Sequence, residues 1–384
     1  MSTAIALLSG KGGSGKTTLA LSIADLLSKC DVSTLLVDCD MSTHGATYFF
    51  ETQLVEKNHR EHTEQVSFSD LLTQKELWTK DNIFLFKPNF CFIPSVAEIS
   101  SQELDVTNLN YLENVGLLEE FLFWARNEFD VILFDCQAGY TPFLSKLLPH
   151  MDVDLFVLEA DSISASAMRS LHLKIGNSFG KARLYQVFNK ASDEEYDIYS
   201  KIVGTFFTNI GTLRFDWKIR QAFSRAQIPD IEKVGGRFGL SLCDICRLLV
   251  QDSRIERKIV LFSAELLSQQ LESERLILEQ EITFLNENSR GQQKTRLLSF
   301  ILCMFSLVVA IIGTLFDSSM FEFGMESLLS VCLCFFAAAV VFLIVVDDGK
   351  KKREARRKHE QEIRIIDKKL YKLRRALDDE KSNL

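Results

Sequence analysis

Proline is scarce in this chain: five residues in 384, none of them beyond Pro229. No helix after that point is interrupted by a missing backbone N–H. Nine cysteines occur at irregular spacings, which excludes a disulfide framework and points to reduced thiols. The start, STAIALLSG, lacks the basic n-region of a secretory signal, so the front half is expected in the cytosol. Residues 1–250 are also short of positive charge, with 23 Lys and Arg against 32 Asp and Glu. That deficit argues against sequence-independent nucleic-acid binding, which needs a basic face. Residues 251–384 are near balance, 21 against 20. What the chain does have is apolar content, 47% hydrophobic against 25% charged, enough for a folded protein of two or more units.

Over residues 1–250, short apolar runs alternate with amphipathic stretches. TAIALL, STLLVD, DVILFD, DLFVLEA and RLYQVFN read as buried parallel strands, and TLALSIADLLSKC and ENVGLLEEFLFWARNEF as helices. This is the pattern of an α/β domain with a doubly wound, mostly parallel sheet. Residues 251–296 form a polar stretch that reads as a linker helix. Residues 297–316, LLSFILCMFSLVVAIIGTLF, carry no charge, and residues 325–346 carry only Glu326 at their edge. Each is about 30 Å long as a helix, the thickness of a bilayer's hydrocarbon core, so two transmembrane helices are expected. Basic residues flank both runs on their outer sides, KTR before the first and KKKREARRK after the second, while the connection DSSMFEFG has none. The bias places both termini in the cytoplasm and the protein in the cytoplasmic membrane, spanning it twice. In the tail, residues 350–384, Ile363, Ile366, Leu370, Leu373 and Leu377 are spaced 3-4-3-4 as a heptad seam. Leu267, Leu271, Leu278, Ile282 and Leu285 make a looser stripe before the membrane. An antiparallel pairing within the chain is the simplest arrangement, with self-association between chains left open.

The chemistry is concentrated in SGKGGSGKTT. Gly10-x-x-x-x-Gly15-Lys16-Thr17 fits the P-loop pattern between a strand and a helix. Gly10, Gly12, Gly13, Ser14, Gly15 and Thr18 would turn backbone N–H groups around phosphates at a helix N-terminus. Lys16 would reach the β- and γ-phosphates of ATP, and the Thr17 hydroxyl would ligate Mg²⁺.

Lys11, directly after the first glycine, makes the loop resemble the deviant Walker A box of the ParA/MinD family of ATPases. In that family this lysine reaches across a dimer onto the partner's nucleotide, so the resemblance implies a homodimer with two ATP molecules between subunits. A second cation at the γ-phosphate would stabilise charge during transfer, as an arginine finger does. The resemblance extends over roughly residues 1–240. LLVDCD is similar to switch I, which implies that Asp40 orients the attacking water and Asp38 lies near Mg²⁺. FDVILFDCQAGY is similar to Walker B with switch II, which implies that Asp135 holds Mg²⁺ through water and the Gly139 amide senses the γ-phosphate. VFNK, with Asn189 and Lys190, resembles the adenine-recognition element, and Pro229 resembles the proline that lies against the base. Two departures stand out: Asp40-Met41-Ser42 where many members have Asp-Pro-Gln, and Gln137 where they have proline.

Cys243 and Cys246, a single CxxC at helical spacing, read as buried thiols, although two such pairs on a two-fold axis could hold Zn²⁺. His44 reads as a loop side chain. The function implied is a membrane-anchored ATPase that dimerises with ATP, hydrolyses it slowly and controls a protein partner. A tyrosine autokinase is the alternative, but the tail holds only Tyr371 and the expected extracytoplasmic region between the spans is missing. A third possibility is an ATPase-controlled membrane effector such as a phage-defence component.

Overall fold

In the computed structural model, strand β1 (Thr3–Leu8) is buried at every position. Its side chains divide by parity: Ile5 and Leu7 enter a core on one face of the sheet, Ala4, Ala6 and Leu8 a core on the other. A strand apolar on both faces must be covered on both, the condition of an interior parallel strand. The backbone is described for residues 2–61, 66–96, 115–192, 207–234, 236–316 and 324–381, with a few isolated positions between 194 and 199; side chains of 302–349 are not described.

The other strands are β2 (Thr34–Cys39), β3 (Phe84–Lys87), β4 (Phe90–Ile93), β5 (Val131–Cys136), β6 (Val153–Glu159), β7 (Arg183–Asn189) and β8 (Thr208–Leu213). They form one sheet in the order β3-β4-β2-β5-β1-β6-β7-β8. Every neighbouring pair is parallel except the edge hairpin β3–β4. Helix α1 (Lys16–Lys29) follows β1, and α2 (Gly45–Phe49), α3 (Glu51–Glu61) and α4 (Phe68–Leu71) follow β2. Helices α5 (Val115–Glu128), α6 (Pro142–Leu147) and α7 (Ser162–Ile175) contribute to the core that holds Ala4, Ala6 and Leu8. After β8 come α8 (Trp217–Ser224), α9 (Ile231–Val234) and α10 (Gly236–Leu249). The apolar stripe of α10 joins α1 in the core that holds Ile5 and Leu7.

The chain divides into two units at Leu267, inside the long helix α11 (Ser253–Phe316). The first unit runs past residue 250 because Ile255, Ile259 and Leu266 of α11 are buried in the α1–α10 core. In the second unit, α11 from Ser268 onward pairs with α12 (Gly324–Lys381). Leu271, Ile366 and Leu370 are buried along the seam. Arg275 pairs with Asp367 at 2.9 Å, Arg374 with Glu272 at 2.6 Å, and Arg356 donates to Asn286 at 2.8 Å. Because residue numbers rise on one helix as they fall on the other, the two run antiparallel. Among the described residues no helix is long and apolar enough to cross a membrane. The expected spans, 297–316 and 325–346, lie almost wholly within 302–349, outside the described side chains.

Candidate functional site

The loop between β1 and α1 sits at the carboxyl end of the central strand, where open α/β sheets form their crevice. Gly15 has φ +89°, and a Cβ there would lie 2.2 Å from Asn189 Nδ2; only glycine permits both. Gly10 faces the backbone of α7, with Ala167 2.4 Å from a would-be Cβ, so the loop is pressed against that helix. Asn189, at the end of β7, donates from Nδ2 to Ser14 O at 2.9 Å, and Lys190 donates from Nζ to Gly13 O at 2.7 Å. Both residues thus brace the loop from the next strand but one.

A cavity of about 850 Å³ opens over this loop. Gly12, Gly13, Gly15, Lys16, Thr17 and Thr18 line its floor, and Asp40, Asn189 and Lys190 its sides. Beneath it lie two buried carboxylates, Asp38 and Asp135, opposite each other in the β2–β5 register. Burial, and then the adjacent Asp135, pushes Asp38 up to about 7; burial likewise raises Asp135. Asp135 accepts from Thr17 Oγ1 at 2.6 Å through one oxygen, while its other oxygen is buried without a hydrogen-bond partner. An orphaned carboxylate oxygen beside a hydroxyl and a second acid is a donor set that fits a divalent cation. Asp40 accepts from the Ser42 and Thr43 amides and hydroxyls. Burial alone would raise its pKa, but these four bonds outweigh it and keep Asp40 a carboxylate.

Residues 2–178 match a family model described as an AAA domain. Over 209 residues the chain is 23% identical to an uncharacterized ATP-binding protein of Methanocaldococcus jannaschii, which spans 51% of this chain and 78% of that protein. A chain of the MinC:MinD cell division protein complex of Aquifex aeolicus superposes with TM-score 0.51 at 19% identity, over 66% of this chain and 97% of that one. The septum site-determining protein MinD of Pyrococcus horikoshii, complexed with Mg-ADP, gives 0.50 at 17% identity over 65% and 97%. The chain has the fold of these MinD structures, with a P-loop between its first strand and first helix. Lys16, Thr17 and Asp135 form a donor set that fits a phosphate and a divalent cation.

Not every residue singled out in the sequence lines the cavity of this P-loop domain. Lys11 does not line the cavity; its Nζ lies 2.8 Å from Glu159 and 3.0 Å from Asp161, at the start of α7. Hydrogen bonds to these two carboxylates raise its pKa. Lys190 pairs with Glu159 as well, at 2.7 Å. The Gly139 amide, expected at the γ-phosphate, donates here to Ser9 O at 2.8 Å, just beyond the end of β1. Asp38 faces α2, accepting from the Thr47 amide at 2.8 Å and hydroxyl at 2.7 Å, and does not reach the cavity surface. Ser14 is buried with its hydroxyl unpartnered, and Gly10 packs on α7.

Pro229 is buried and does not line the cavity. The wall expected of it is made by Phe215, Phe223 and Phe238, with Ile219 and Arg220 from α8. Phe223 is fixed from behind by stacking on Phe49, centroids 5.2 Å apart. Two of its three aromatics, Phe215 and Phe223, stand close together in LRFDWKIRQAF, a signal the sequence carries; Phe238 comes from α10. His44 bonds Ser95 Oγ at 2.8 Å through Nδ1, a loop contact that ties switch I to the end of β4. Cys243 and Cys246 are 0% and 1% exposed in the α1–α10 core, so neither thiol can meet a partner subunit at an axis. Burial raises both thiols, Cys243 to about 12.

Proposed function

We propose that this protein is a membrane-anchored switch in which ATP closes a dimer and slow hydrolysis reopens it. The observation that carries the reading is the division of labour between two lysines of one loop. Lys16 lies in the cavity, where the phosphates of its own nucleotide would sit. Lys11, five residues earlier, stands outside it on the rim, held only by partly exposed carboxylates. A cation in that position has no work at its own site and is suited to a γ-phosphate brought by a second subunit.

Asp40 remains ionised and lines the cavity, as a residue that orients water must. Gly139 amide, held by Ser9, would be released when a γ-phosphate competes for it, so switch II is read as being in its open arrangement. Membrane attachment rests on the two long apolar runs and on Leu297, Phe300 and Ile301, which are 63%, 59% and 53% exposed where the first run begins. An apolar side chain directed outward at that point is suited to lipid. Permanent attachment leaves nucleotide to control dimerisation and partner affinity, and confinement to a surface raises the effective concentration of subunits. The partner is a protein that reads the closed dimer. Sedimentation of detergent-solubilised protein tests the reading: a doubled protein mass with ATP and Mg²⁺, and a single one with ADP, is expected, whereas one mass in all conditions would reject it.

A further inference from the structure

Near-neutral charge over residues 251–384 conceals a strong separation between two helices. Residues 268–287 of α11 carry five acids and one base, whereas residues 350–378 of α12 carry 13 Lys and Arg against five Asp and Glu. Some of the α12 cations are spent on neighbours: Arg356 on Glu360 and Asn286, Arg374 on Glu272, Lys358 on Glu362. Others are not. At 100° per residue, Lys350, Arg353 and Arg357 fall on the side of α12 opposite its buried seam residues Ile366 and Leu370. Arg364, Lys368, Lys372 and Arg375 continue the same line. All seven are exposed, and no carboxylate among the described residues pairs with any of them.

We infer that this face of α12 binds the phosphodiester backbone of a nucleic-acid duplex. The line runs about 38 Å along one unbroken helix, at about 1.5 Å per residue. A lipid surface is the obvious competitor, and geometry decides between them. Helix α12 is continuous from Gly324, so where its first part spans a bilayer the rest leads away from it. Arg364 then stands about 21 Å beyond Lys350, and Arg375 further still, whereas headgroup charge is screened within ~10 Å. Headgroups can engage only the first three cations. The outer four need a polyanion that extends along the helix, and a duplex offers one phosphate charge per ~1.7 Å of its axis. An interfacial helix would also require an apolar face to bury in lipid, but the seam of α12 is already covered by α11. The deficit of basic residues in the front half is consistent with this, because the contact lies entirely outside the ATPase domain.

The test uses the full chain in neutral detergent, with fluorescently labelled 30-base-pair DNA and RNA duplexes of arbitrary sequence, read by anisotropy between 50 and 200 mM salt. Binding to at least one duplex is expected, with a steep log–log salt dependence approaching −6 if all seven cations are used. Arg364→Gln, Lys368→Gln and Lys372→Gln together should weaken binding at least ~100-fold near 100 mM salt and flatten the slope by about 2–3. Lys75→Gln with Lys80→Gln, on the ATPase domain, should bind as the wild type does. Circular dichroism and ATP binding confirm that the triple variant is folded. No binding to either duplex at 50 mM salt, or equal binding by the triple variant, overturns the inference. Capture by phosphatidylglycerol vesicles, lost in the triple variant, without binding to either duplex, overturns it in favour of lipid.

Discussion

The ion pairs that hold Lys11 on the rim define a latch that can be opened without touching the lysine. Glu159→Gln with Asp161→Asn replaces both carboxylates by isosteric amides. Asp161 also caps α7, accepting from the Ser164 amide at 2.7 Å, and asparagine serves equally well as an N-cap. Lys11, Glu159 and Asp161 side chains are 29%, 25% and 37% exposed, so each pair is worth only about 0.5 kcal/mol. Opening the latch therefore costs about 1 kcal/mol per subunit. A dimer that uses both lysines must break the latch twice, about 2 kcal/mol, or roughly 30-fold in its dissociation constant. The doubly substituted protein should thus form the ATP-dependent dimer about 30-fold more tightly, measured by sedimentation equilibrium with a non-hydrolysable ATP analogue. Because Glu159 also pairs with Lys190 in the cavity wall, the two proteins are compared at saturating nucleotide, so that a change in monomer affinity does not enter the dimer constant. An unchanged or weaker dimer would refute the idea that these carboxylates compete with the partner's phosphate for Lys11.

Other outcomes follow from the same geometry. Asp40→Ala should still bind ATP but lose phosphate release and accumulate as the dimer; release at the wild-type rate would assign the water to another residue. Asp38 holds its proton up to about pH 7 in the cation-free fold, whereas in the unfolded chain it would lose it near pH 4. Cation-free stability should therefore fall as pH rises across that window, and stabilisation by Mg²⁺ should grow over the same range. Thermal unfolding with EDTA and with Mg²⁺ between pH 5.5 and 8 measures both, and a pH-independent Mg²⁺ effect would count against a cation beside Asp38 and Asp135. Truncation at about residue 290 should leave a soluble ATPase, because the uninterrupted apolar runs lie beyond it; recovery in salt-washed membranes would contradict this.

The central strands were legible because burial on both faces leaves an unmistakable apolar run. RLYQVFN coincides with β7, and TAIALL with β1. The edge hairpin escaped notice, since FLFKPNFCFI reads as one run until Asn89 turns at φ 62°. Strand β8, TNIGTL, was missed because only Ile210 and Leu213 of it are buried, and its glycine lies against Ile245 of α10. In the site, the phosphate loop was readable because glycine and lysine spacing is local. The direction in which a side chain points is not. Gly139 amide and Asp38 are each captured by a partner, Ser9 or Thr47, that sequence spacing does not reveal. The base wall depends on Phe223 meeting Phe49, residues 174 positions apart in the chain.

The role of the second lysine is tested most directly by complementation. Lys11→Ala and Asp40→Ala subunits are each inactive alone, one lacking the cation that serves its partner and the other its water-orienting carboxylate. In a mixed dimer the Lys11→Ala subunit keeps its own Asp40 and receives an intact Lys11 from its neighbour, so one of two sites is whole. ATP hydrolysis should return on mixing, toward half the wild-type rate per heterodimer. If heterodimers form, as shown by differently tagged subunits purified together, and hydrolysis stays absent, then Lys11 serves its own subunit and the switch described here does not operate across a dimer.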